Sequence, residues 1–224
     1  MPFGFPSLPQ LRRSRTASEG PAATWRRPIG LGWERPYTVR YASNLDDGPN
    51  HGAPLGGFGA GCIGRGPDGA FNLWHLDGGE HWFGTLPDCQ FALFESDGSS
   101  RRAHALATAP DRDDSRPDAP RPPLTAWSWY PASTPERSSG TYSARYPCSS
   151  FHYDNVFAAA VSCEAFSPIL PGDYLRTSYP VAVFRWVFSN PTAAPLDLSL
   201  LLRDRKSTRL NSSHSSVSRM PPSA

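Results

Sequence analysis

Residues Ala53–Phe94 read APLGGFGAGCIGRGPDGAFNLWHLDGGEHWFGTLPDCQFALF, and the fold class turns on them. Seven glycines fall in the first seventeen residues, and Phe71, Trp74, His75, His81, Trp82 and Phe83 follow with few charges between them. Glycine supplies backbone freedom and close approach, while the aromatic rings supply area. Such a run invites a phosphate-cradle reading. Gly57-Phe58-Gly59-Ala60-Gly61 fits neither GxGxxG nor GxxxxGK(S/T), because no lysine follows and no helical periodicity opens after it. Phe71–Leu76 is short and aromatic and reads as a strand, which makes the glycines a turn between strands.

Outward from this stretch the same grammar repeats. Cys89–Phe94 alternates with a period of two and ends at the turn Glu95–Gly98. Upstream, Tyr37–Tyr41 is a short strand before the turn cluster Asn44–Asn50. Downstream, 101–123 shifts to Ala, Asp, Arg and Pro and is expected to be an exposed loop. Its four aspartates lack the glycine and terminal glutamate of an EF-hand loop. Leu124–Tyr130 and Thr141–Tyr146 read as strands. Val156–Phe166 is helix or strand by periodicity, and its flanking Asp-Asn and Ser-Pro favour strand. Val181–Phe188, apolar on both faces, is expected to be a buried central strand forming a hairpin with Leu196–Leu200.

Twenty-five prolines, nineteen glycines and no convincing amphipathic helix indicate an all-β, antiparallel β-sandwich, incomplete at its C-terminal end. Three regions follow: a disordered Pro-rich leader over 1–30, the partial sandwich over 31–203, and a disordered, non-native tail over 204–224. The leader has no apolar run of signal-peptide or membrane-anchor length. The tail holds the only lysine, Lys206, seven serines and no aromatic residue. Its Asp204–His214 run resembles a translated sequencing-library adapter. Asp204 against Arg205, Lys206, Arg209 and Arg219 gives the tail +3 and leaves −1 of the chain's +2 for the rest. No basic patch remains to recruit nucleic acid.

Cys62, Cys89, Cys148 and Cys163 form no CxxC, so neither zinc nor a disulfide framework is expected. His75, Glu80 and His81 could form a metal cluster or an acid/base pair, but such a trio reads more simply as hydrogen-bonded turn structure. Trp74, Trp82, Trp127 and Trp129 could stack on sugar rings or fill the core.

Two ordered blocks carry a family resemblance. Ala53–Arg65 with Gly69–His75, then Tyr142–Pro147, Val161–Ile169 and Thr177–Phe184, resemble the N-terminal domain of glycoside hydrolase family 116. That family comprises bacterial β-glucosidases and the non-lysosomal glucosylceramidase or bile acid β-glucosidase.

The resemblance implies a sandwich packed on an (α/α)6 barrel, and a retaining mechanism whose glutamate nucleophile and aspartate acid/base both lie in that barrel. Retention needs two carboxyl groups about 5–5.5 Å apart across the glycosidic bond. Neither has a counterpart here, so no catalytic residue, metal or cofactor is expected in this chain, and Glu80, Glu95 and Glu164 are not assigned those roles. The expected partners are the catalytic domain and, in the parent enzyme, a β-glucoside, in a cytoplasmic setting. Membrane association of the parent has no visible signal in the chain. Trp74, His75, Glu80, His81, Trp82 and Trp127 are the candidates for contact with that domain or the rim of its substrate pocket. Two alternatives are a free-standing carbohydrate-binding sandwich and an unrelated interaction domain.

Overall fold

The computed structural model describes residues 25–31, 52–77, 80–87, 89–110, 127–203 and 214–220, with backbone alone for 25, 77, 80–83 and 214–220. In chain order the strands begin with β1 (Trp25–Pro28), β2 (Pro54–Leu55), β3 (Cys62–Arg65), β4 (Phe71–Asp77) and β5 (Glu80–Phe83). Then come β6 (Phe91–Ser96), β7 (Arg101–Thr108), β8 (Ser128–Tyr130), β9 (Gly140–Arg145) and β10 (Cys148–Tyr153). The series closes with β11 (Ala160–Phe166), the short helix α1 (Tyr174–Thr177), β12 (Val183–Ser189), β13 (Leu196–Leu202) and β14 (His214–Met220). The fold is all-β, as expected.

Two five-stranded sheets, β1-β9-β10-β11-β12 and β14-β13-β6-β7-β8, share one core. A third sheet, β2-β3-β4-β5, carries the glycine-rich stretch. All pairings are antiparallel except β7 with β8. Strand alternation explains the core. Phe151 and Tyr153 of β10 and Val161, Cys163 and Ala165 of β11 turn inward, with intervening residues outward. Phe151 faces Tyr142 on one side and Cys163 on the other in register. Leu93 of β6, Leu106 of β7 and Leu196 and Leu198 of β13 meet them from the opposite sheet.

Arg65 pins the three sheets together. Its side chain, 1% exposed, donates from Nε to the Gly69 carbonyl (2.8 Å) and from Nη2 to the Leu106 carbonyl (2.9 Å) and Tyr153 Oη (2.6 Å). Tyr153 Oη in turn donates to the Leu106 carbonyl at 3.0 Å. Rings of Phe151, Phe91, Trp186 and Phe71 surround the guanidinium. Burial drives the Tyr153 phenol well above its ordinary range, and it pushes the Cys163 thiol up to about 11 although Arg65 opposes the shift.

The structure corrects several expectations. The stretch 101–108 is not an exposed loop but β7, with Ala105, Leu106 and Ala107 buried. Alanines bury completely without raising the apolar signal that leucines would. Residues 25–30, assigned to the disordered leader, contain β1 (Trp25–Pro28) and the turn after it, which places Ile29 in the core. Pro28 sits on an edge strand, where a missing N–H costs no ladder bond. Only Ala160–Phe166 of the 156–166 run is strand, because the Glu95 carboxylate accepts hydrogen bonds from the Ala158 and Ala159 amides and holds them out of the ladder.

β12 ends its sheet's order rather than lying centrally, and Val187 is exposed. β12 and β13 form no hairpin. The Asn190–Pro195 link carries the chain from one sheet to the other, and Asn190 ties it through the Ala194 carbonyl. Within the tail set apart as disordered, 214–220 pairs along β13 as β14, where the ladder is made by backbone groups whatever the side chains. The expected strand Tyr37–Tyr41, most of the leader and residues 124–126 lie outside the described residues.

Candidate functional site

The glycine-rich stretch forms one end of the third sheet, and close backbone approach explains its composition. A Cβ on Gly56 would stand 2.1 Å from the Gly61 carbonyl oxygen, so the two limbs of the β2–β3 loop touch at their base. Gly61 has φ +84°, and a Cβ there would meet the His75 carbonyl at 2.4 Å. The neighbouring chain segment holds the loop from outside. The Gly56 amide donates to Ser167 Oγ (2.7 Å) and the Phe58 amide to the Thr177 carbonyl (2.8 Å). On the inner side the Ala53 amide donates to Tyr142 Oη at 3.0 Å, and burial pushes that phenol up to about 12.

A groove of about 490 Å³ opens beneath this loop, lined among others by Phe58, Gly59, Gly61, Cys62, His75 and Tyr146. Phe58 at the loop tip is 65% exposed and Tyr146, in the β9–β10 turn, 56%. Cys62 and His75 are cross-strand partners of β3 and β4. Burial raises the Cys62 thiol above its ordinary range, which holds it protonated and argues against a nucleophilic thiolate.

The segment that clamps the loop also carries α1. Asp173 caps it, its Oδ1 accepting from the Arg176 amide at 3.0 Å, and Thr177 is buried beneath. Tyr174, Leu175 and Tyr179 are thereby left outward. Among the described residues, nine large apolar side chains are strongly exposed, and eight of them, all but Val187, come from the loop, the groove margin and residues 170–181 that abut it. Exposed apolar groups are usually scattered singly, so a concentration of this kind is a candidate interaction surface.

Of the sequence candidates, His75 lines the groove. Trp74 is half-buried against the core, its Nε1 donating to the Gly84 carbonyl at 2.9 Å and its ring 6.1 Å from that of Phe71. Glu80, His81 and Trp82 lie on β5, which places Trp82 opposite Trp74 and Glu80 opposite Asp77 in register. Their side chains lie outside the described residues. Trp127 precedes β8 in another sheet and is not brought to the groove. Phe58, Leu76, Tyr146 and 170–181 were missed. Phe58 did carry a signal, since an aromatic residue inside a run of glycines has no local side chains to bury it.

The carboxylates with described partners have structural roles. Glu95, 1% exposed, accepts from the Ala158 and Ala159 amides and from Arg102, each at 2.8 Å. Glu164 pairs with Arg185 on the exposed side of β11 and β12. Among the described residues no three His, Cys, Asp or Glu side chains are grouped to hold a metal ion, and the four cysteines are free thiols. None of the described helices is long and apolar enough to cross a membrane.

Residues 52–218 match the family model described as beta-glucosidase 2, glycosyl-hydrolase family 116 N-term. The chain belongs to that family. The match covers both sequence blocks, runs on into β14, and spans the glycine-rich loop, the groove and the whole apolar surface around α1.

Proposed function

We propose that this family 116 domain is a non-catalytic sandwich that buttresses an (α/α)6 catalytic domain of a retaining β-glucosidase or glucosylceramidase. The single observation that carries the reading is that Phe58, Leu76, Tyr146, Tyr174, Leu175 and Tyr179, all exposed, come from the glycine-rich loop, the groove margin and the segment hydrogen-bonded to that loop. Desolvating such a surface contributes roughly 25 cal/mol per Å² of apolar area removed from water. The family match supports a glycosidase context for it. In that arrangement both catalytic carboxylates come from the helical domain, while the glycine-rich loop, with Trp74 and His75 behind it and β5 beside it, adjoins the rim of the substrate pocket. A cytoplasmic β-glucosidase or glucosylceramidase is the parent this reading favours.

The test mixes the chain with a separately produced family 116 catalytic domain and follows association by sedimentation. The expected result is a one-to-one complex weakened at least tenfold by Leu175→Asp or Tyr179→Asp, and no hydrolysis of an aryl β-glucoside by the chain alone. Hydrolysis by the chain alone, or association indifferent to both substitutions, overturns the reading.

A further inference from the structure

The groove beneath the β2–β3 loop has a chemical character that packing against a second domain does not account for. Its volume of about 490 Å³ lies within the roughly 300–1,000 Å³ range of small-molecule sites. None of the described residues lining it carries a charged side chain, which disfavours phosphates, carboxylates and cations as occupants. Two exposed aromatic rings, Phe58 and Tyr146, line it from separate segments of the chain.

Four glycines, at 56, 57, 59 and 61, leave its peptide groups unshielded by side chains, and at Gly59 nothing stands within 4 Å of where a Cβ would be. The Gly56, Phe58 and Ala60 amides already have partners within the chain, so the open peptide is the one at Gly59, which a hydrocarbon occupant would desolvate at a cost. A strongly polar occupant would waste the rings. The ligand that fits is neutral, with an apolar face and a hydroxyl edge.

We propose that this groove is a pyranoside subsite, in which the aromatic side chains of Phe58 and Tyr146 cover the apolar face of a sugar ring while its hydroxyls reach the peptide groups flanking Gly59 and the His75 imidazole. The assignment deepens the proposed function and rests on it for the choice of sugar, a β-glucoside. It adds a sugar contact on the sandwich. Phe58 and Tyr146 are largely in solvent, so truncating either leaves the core untouched.

The experiment is an amide-resolved NMR titration of the full chain with methyl β-D-glucopyranoside, with cyclohexanol as the apolar control. The expected result is saturable shifts confined to residues 56–62, 75 and 146, weakened at least tenfold in Phe58→Ala and in Tyr146→Ala, with unchanged spectra elsewhere. Shifts of equal size with cyclohexanol, shifts indifferent to both substitutions, or no shifts at the groove each overturn the subsite. The sedimentation test uses Leu175 and Tyr179, outside the groove lining, so the two readings fail separately. A domain that docks without glucoside shifts removes the subsite alone. Glucoside shifts without docking keep the subsite and remove the buttress, in favour of a free-standing carbohydrate-binding module.

Discussion

The guanidinium carbon of Arg65 lies 4.1 Å from the centre of the Phe151 ring, deep between the two main sheets. Its Nε and Nη2 donate to two carbonyls and a phenol, while the buried Nη1 makes no hydrogen bond. This arrangement separates the two conservative replacements. Arg65→Met removes a desolvated charge, and Tyr153 Oη keeps the Leu106 carbonyl, leaving mainly the Gly69 carbonyl without its donor. That loss is about 1–3 kcal/mol. Arg65→Lys keeps the charge but lacks the planar fork to reach all three acceptors, and is expected to lose about 3–5 kcal/mol. Urea unfolding midpoints decide the order; Arg65→Lys as the milder variant would refute the assignment.

Glu95 holds the loop before β11 through two amides at once. Glu95→Gln offers one acceptor oxygen in place of two, so either Ala158 or Ala159 loses its partner. Loss of one charge-assisted bond is expected to cost about 1.5–3 kcal/mol. Amide exchange is the sharper readout: protection should fall at Ala158 and Ala159 before it falls in the β11 ladder. Unchanged protection at both amides would mean that the loop is held by packing alone.

The β6–β7 turn should be acid-sensitive. Asp97 accepts from the Ser100 amide (2.7 Å), the Ser99 hydroxyl (2.8 Å) and the Ser99 amide (2.9 Å), which hold its carboxyl at about 2. A depressed folded-state value contributes stability that is present above the ordinary carboxylate range, near 3.9, and is lost as pH falls toward 2. Asp97→Asn should therefore remove part of the pH dependence of unfolding between about 4 and 2. Identical acid profiles for the two proteins would count against the turn's role.

At high pH the sign reverses. The folded state keeps the Cys163 thiol protonated to about 11 and the Tyr142 phenol to about 12, both chiefly because burial disfavours the charged form. Each group contributes stability fully below its ordinary value, about 8.5 for Cys and 10 for Tyr, and lost as pH climbs through the folded value. Unfolding measured from pH 8 to 11 should show a steady decline that Cys163→Ala makes shallower. A flat profile would place both groups in water.

The main sheets were legible where alternation is strict. Leu196–Leu200 announced its inward face, 156–166 read as strand only from its flanks, and of the turn expected over Glu95–Gly98 the first two residues instead extend β6. β7 was not legible, because its buried run Ala105-Leu106-Ala107 is too small-sided to stand out beside the charged stretch that follows. β12 misled in the opposite direction: aromatic residues on both faces suggested a central strand, whereas its alternate residues Phe184, Trp186 and Phe188 pack inward and Arg185 and Val187 face out. The candidate site was half legible. Its glycines marked a close backbone approach, but Tyr146 and 170–181 reach it only through tertiary placement.

The glycine pattern itself yields the last test. Gly59 and Gly61 share left-handed backbone, with φ +76° and +84°, yet their surroundings differ. Around Gly59 the space for a Cβ is open, so Gly59→Ala carries only the conformational penalty, about 1–2 kcal/mol. At Gly61 a Cβ would stand 2.4 Å from the His75 carbonyl, a backbone atom of β4 that cannot swing aside. Relief requires β3 and β4 to part where Cys62 faces His75, which also widens the groove floor. Gly61→Ala is therefore expected to lose at least twice as much stability as Gly59→Ala and to abolish glucoside-dependent shifts at residues 56–62. Gly59→Ala should keep them. Equal unfolding midpoints for the two variants would show that Gly61 does not sit tight against the β4 backbone.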